Sequence, residues 1–229
     1  MNSNKNTARI AGLLYLVVVM TGIFNLAYVP GQLIVWEDAA ATFNNISSSE
    51  TLFRLGILSA VICYVFFLFL PLALYKLLSP VNKNHALAMV ILAVVSVPIS
   101  LVNLLNKYEI LNLISRADYL KIFGTEQLQT QVLLHLHAYN NGNQIASIFW
   151  GLWLFPFGYL VFKSGFLPKI LGILLMTGCF GYLIKFVGHF LLPGYDEMSI
   201  SGFVTLPASI GEIGTCLWLL IMGAKDSRS

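Results

Sequence analysis

Residues 53–75, FRLGILSAVICYVFFLFLPLALY, decide the class of fold. No charged residue occurs from Leu55 to Tyr75. At about 1.5 Å per residue, a helix of that length crosses the roughly 30 Å hydrocarbon core of a bilayer. Five further apolar stretches of the same kind flank it, over residues 10–29, 85–106, 144–162, 167–192 and 203–223. The expected architecture is therefore all-α, an integral membrane bundle of six transmembrane helices forming a single domain over residues 1–229. Pro71, Pro98, Pro156 and Pro207 interrupt four of these spans. They are expected kinks, tolerated where neighbouring groups satisfy the freed carbonyls.

Composition carries the same message. Of the 229 residues 58% are hydrophobic and 10% charged, and the mean hydropathy is +0.80. A soluble domain has about 45–50% apolar and about 25% charged residues. Too little polar surface remains to solvate a globule, and disorder is excluded by the same numbers. The net charge of +3 is too small to imply a nucleic-acid partner. Cys63, Cys179 and Cys216 lie far apart inside apolar runs, so neither a disulfide framework nor a zinc knuckle is indicated. The first apolar run follows Lys5 and Arg9 like a signal peptide, but it is about twice the usual length and lacks an A-x-A site, so it reads as a retained helix.

Cytoplasmic loops retain Lys and Arg, and the count here alternates. One side holds Lys5, Arg9, Lys76, Lys83, Lys163, Lys169, Lys225 and Arg228; the other holds Lys107, Arg116 and Lys121. Glu37, Asp38, Glu50, Glu109, Asp118, Glu126, Asp196 and Glu197 fall on the basic-poor side. Both termini are expected to be cytoplasmic. The inner links are short, so spans two and three, and four and five, should be antiparallel neighbours. On the outer side, residues 30–51 read as an irregular loop and 108–134 as an interfacial segment capping the bundle.

Polarity within the spans concentrates in their outer halves. Ser96, Ser100, Asn103 and Asn106 recur at helical spacing in span three, and Asn140, Gln144, Ser147 and Gly151 do so in span four. In span five Gly178, Gly181, Lys185 and Gly188 share a narrow face, which marks close helix packing, with His189 beside it. In span six Ala208, Ser209, Glu212, Thr215 and Cys216 surround a carboxylate near the membrane's middle. A charge at that depth costs about 3 kcal/mol on insertion scales, so Glu212 calls for a partner. Lys185 lies at similar depth, and Arg54 enters span two near the outer surface. Such pairs can serve only to fix helix register. Alternatively, Arg54, Lys185, Glu212, His189, Asn103, Asn140 and Gln144 line an outward-opening pocket for a small polar or anionic solute or a lipid headgroup. In a third arrangement Lys185 snorkels to the interface and Glu212 stays protonated.

His135 and His137 diverge by about 200° on a helix, so they do not form one metal face, and His85 stands apart on the inner side. No metal and no cofactor is expected. No H-E-x-x-H, G-x-S-x-G or Walker-type motif occurs, so enzyme activity has no positive support in these motifs.

Several strings taken together carry a family resemblance: LFRLG at 52–56, FWGLW at 149–153 continuing through GYL at 158–160 to KSG at 163–165, then Pro168 and LG at 171–172. LPGY at 192–195, IGE at 210–212 and LWLL at 217–220 with Gly223 extend it over nearly the whole chain. The chain resembles the domain of unknown function family 4386. The resemblance implies a multipass protein of the bacterial cytoplasmic membrane and no particular activity. It makes Arg54 and Glu212 the natural centre of any site; Lys185 lies outside the matching strings. The expected function is binding or transport of a small polar or anionic solute or lipid headgroup. The alternatives are an intramembrane lipid-modifying enzyme and a structural or assembly subunit. Membrane lipid is the expected partner, nucleic acid is not, and the oligomeric state is not encoded in these patterns.

Overall fold

In a computed structural model, residues 3–115, 117–195 and 198–224 are described. Arg116, Asp196, Glu197, Lys225 and Arg228, which enter the charge count above, lie outside the described residues. The described chain is helical, without a strand. Six helices are long and apolar enough to cross a membrane: Asn4–Leu33, Glu50–Leu78, Lys83–Ile114, Thr125–Lys163, Lys169–Leu191 and Ile200–Ile221. This is a multipass membrane protein, with every span extending beyond or trimmed from its purely apolar run because caps and prolines, not hydropathy, end helices. Asn82, for example, starts the third span by accepting the His85 amide at 3.0 Å. Gly223, at φ 68°, ends the sixth span with its amide turned back to the Trp218 carbonyl.

Each span packs against its neighbours in sequence, and the sixth returns to pack against the first, so the bundle closes into a ring. The two ends of the described chain meet at one end of that ring, where Lys5 packs against Gly223. Trp153 sits in the core at 1% exposure, stacked on Phe157 at 5.1 Å and edge-on to Phe67 at 5.3 Å. The fourth span breaks beside it, at Trp153. Pro156 has no N–H for the Leu152 carbonyl, which frees one turn of backbone. Pro71 and Pro98 lie inside continuous helices, and Pro207 occupies the first turn of the last helical segment.

Two outer segments differ from their expected form. Within residues 30–51, Ala39–Ser48 is a helix rather than an irregular loop. Asp38 caps it through the Ala41 amide at 2.8 Å, and buried Thr42 bonds both backbone groups of Val35. Within 108–134 the third span simply continues to Ile114, and after a 3-10 turn at Asp118–Ile122 the fourth begins at Thr125. Ile110, Leu113 and Ile114 join Val132, Leu136, Ile46 and Phe53 in a second core at the far end of the bundle. The same apolar spacing serves an interfacial helix and a helix that packs on its own return strand of chain, so sequence periodicity does not separate them.

Candidate functional site

The first and sixth spans meet most closely near the termini. A Cβ on Gly12 would lie 2.7 Å from the Leu220 nitrogen, so only glycine admits this approach without a shift. One turn further along, Tyr15 Oη donates to Glu212 Oε1 at 3.0 Å. Tyr15 itself is 1% exposed and packs against Trp153 and Phe157. The carboxylate is thus held by a neutral phenol fixed in the aromatic core.

From this contact outward a cavity of about 330 Å³ opens between the spans. Its wall is drawn from the first span (Tyr15, Val18, Val19, Gly22), the second (Cys63, Tyr64, Phe67), the fourth (Trp150, Trp153), the fifth (Tyr182) and the sixth (Ser209, Glu212). Ile23, Leu26 and Ala27 on one side and Ser209 and Ile213 on the other complete the lining and are all exposed. In a spanning bundle exposed apolar residues at this level face acyl chains. The mouth therefore lies between spans one and six. Leu26 and Ala27 belong to a π-helical turn, Phe24–Tyr28, which widens the first span at the mouth.

The same π turn directs Asn25 the other way, into a second buried polar site. Lys107 Nζ donates to Asn25 Oδ1 at 2.8 Å and lies 4.2 Å from the centroid of the Tyr139 ring. Lys107 is 2% exposed and Asn25 1%. The helix delivers Lys107 here because the Asn103 carbonyl accepts Asn106 Nδ2 at 3.2 Å, while the Lys107 amide turns to Leu104 instead. That side-chain competition tightens the helix at Leu104. Lys107, counted above among outer-loop cations, is an interior residue. Tyr64, on the cavity wall, neighbours Tyr139 and so stands between the two sites.

The residues singled out from sequence are dispersed. Arg54 is exposed and its Nε donates to Glu50 Oε1 at 2.6 Å, one turn back on its own helix. That local partner is nearer than any carboxylate across the bundle, so Arg54 does not reach Glu212. Lys185 is half-buried on the fifth span and outside the cavity lining. Among the described residues no cation lies within ion-pair distance of Glu212. His189 falls in the last turn of the fifth span, away from the cavity. The glycine face that carries Lys185 packs closely: a Cβ on Gly178 would lie 2.6 Å from Ala208, and Gly181 abuts the Val204 carbonyl.

Asn103 joins spans three and four instead of lining a pocket. Its Nδ2 donates to the Tyr139 carbonyl at 2.8 Å and to Asn143 Oδ1 at 3.0 Å, with Gly142 pressed against its carboxamide. Asn140 and Gln144 are half-buried and take no part in the cavity wall. Among the described residues no group of three or more His, Cys, Asp or Glu side chains is placed to hold a metal ion.

Tyr15, Asn25, Lys107 and Tyr139 lie outside the set of site residues that the sequence pattern singles out. Lys107 continues the Ser96, Ser100, Asn103 spacing by four residues, a signal overshadowed by the positive-charge count. Asn25 is the one amide between Arg9 and Tyr28 in the first apolar run. Tyr15 gives no such mark, since a tyrosine in an apolar run is compatible with any core position.

A protein of Archaeoglobus fulgidus described as uncharacterized is 31% identical over 157 residues, which cover 68% of this chain and 76% of that one. No solved structure matches. The model of the family described as Domain of unknown function (DUF4386) matches residues 10–223, which takes in most of the first span, the other five and the residues of the Glu212 cavity, and the chain belongs to that family.

Proposed function

We propose that this chain is a protein of the bacterial cytoplasmic membrane, both termini cytoplasmic, that takes a small ligand from the bilayer into the Glu212 cavity. The observation that carries this reading is that Ile23 and Leu26 of the first span and Ser209 and Ile213 of the sixth line the cavity and are exposed, where a spanning bundle meets acyl chains. A cavity of about 330 Å³ falls in the range of small-molecule sites, roughly 300–1,000 Å³, and an apolar lining with few polar groups is their usual chemistry. The orientation is supported by Lys5, Arg9, Lys76, Lys83, Lys163 and Lys169, which cluster at the end of the bundle holding both termini.

The anionic solute considered from sequence is not favoured, because Arg54 and Lys185 are outside the cavity and its one carboxylate would repel an anion. Native mass spectrometry of the detergent-extracted chain tests the reading. The unmodified protein is expected to retain a small hydrophobic molecule that Ser209→Trp, filling the mouth, loses. Identical retained masses in both proteins would overturn it.

A further inference from the structure

Among the described residues the cavity wall contains one side chain that is charged in its ordinary state, Glu212, and no Lys, Arg or His. Among the described residues its carboxylate accepts one hydrogen bond, from Tyr15, and makes no ion pair. A carboxylate offers about four lone-pair sites, so most of its capacity for donors is unused by the protein. Around it stand six aromatic side chains, Tyr15, Tyr64, Phe67, Trp150, Trp153 and Tyr182. Aromatic faces carry negative potential and attract ammonium groups, most strongly where water is excluded.

Resting on the reading that the cavity takes its ligand from the bilayer, we infer that the ligand is a lipophilic organic cation: an amine or quaternary ammonium group on a small apolar body. The cationic head meets Glu212 and the rings, and the apolar body extends toward the mouth at Ile23 and Ile213. Each competing class fits less well. An anion faces like charge, and an acyl chain leaves a desolvated carboxylate without a counter-charge.

The test uses the full chain in nanodiscs and three probes of nearly one shape: benzyltrimethylammonium, its neutral isostere neopentylbenzene, and phenylmethanesulfonate. Binding is read by the fluorescence of the tryptophans, two of which line the cavity. The cation is expected to bind about tenfold more tightly than the neutral isostere. Glu212→Gln, which keeps an acceptor for Tyr15, is expected to lose about that tenfold while neopentylbenzene binds as before. If Glu212→Gln does not fold, the ranking of the probes on the unmodified chain decides alone. Equal binding of cation and isostere, tighter binding of the sulfonate, or no binding of any probe overturns the cationic ligand. The cavity reading falls separately, if Ser209→Trp leaves the retained molecules unchanged.

Discussion

Glu212 and Lys107 bring opposite charges into one bundle, and neither meets the other or any ion of opposite sign within ion-pair distance among the described residues. Their surroundings differ. Lys107 is enclosed at 2% exposure, its ammonium donating to Asn25 and set on the Tyr139 ring. Glu212 has one partner, Tyr15, and otherwise borders open volume. A buried charge closed in by protein side chains on every side serves to position helices, here spans one, three and four. A charge left with capacity beside a cavity is available to something that enters. The contrast shows that depth in the membrane does not by itself distinguish a structural ion from a functional one; the packing around it does.

The largest effect is expected where the enclosed charge loses its acceptor. Asn25→Leu leaves the Lys107 ammonium buried without an oxygen partner and should cost about 3 kcal/mol in reversible unfolding from mixed micelles. Adding Lys107→Met should recover part of that loss, giving a strongly non-additive cycle. Simple additivity of the two would mean that the pair is not coupled.

Next in size is Gly142→Ala, which places a methyl against the Asn103 carboxamide and should cost about 1–3 kcal/mol. Its counterpart at the cavity is Gly22→Ala, where the nearest atom to the added carbon is Cys63 Sγ at 3.8 Å. There the helical preference of alanine should leave stability unchanged or raised by up to about 1 kcal/mol. Melting temperatures that fall equally for both variants would contradict the difference in packing.

Tyr15→Phe removes the donor to Glu212 and should cost only about 1 kcal/mol, the net contribution of a single hydrogen bond at a group that borders open volume. A loss as large as that of Asn25→Leu would erase the distinction between the two sites. Smallest of all is Arg54→Gln. The exposed pair with Glu50, one helical turn away, contributes about 0.3–0.5 kcal/mol, so its removal should leave the melting temperature within error. A marked drop would show that Arg54 has a partner beyond its own helix.

Much of the fold follows from single-residue properties. The apolar runs identify six spans because a helix in hydrocarbon must satisfy its backbone internally, whatever its neighbours are. The glycine face of span five likewise marks a close contact, seen at Gly178 and Gly181. Glu212 stood out as an intramembrane carboxylate for the same reason. Its partner did not. Arg54 and Lys185 matched it in depth and charge, but depth along a helix leaves rotation about its axis and distance across the bundle undetermined. A flexible arginine then takes the nearest carboxylate, Glu50, on its own helix.

The membrane class, the number of crossings and the carboxylate within the last of them follow from the transfer free energy of each residue and its place along the chain. That Tyr15 holds that carboxylate, that a π turn sends Asn25 to Lys107, and that spans one and six part to leave a mouth emerge from the packed bundle alone. Those depend on which helix faces meet when the ring closes between the first span and the sixth. Residues nearly two hundred positions apart, such as Tyr15 and Glu212, share no local pattern through which one could announce the other.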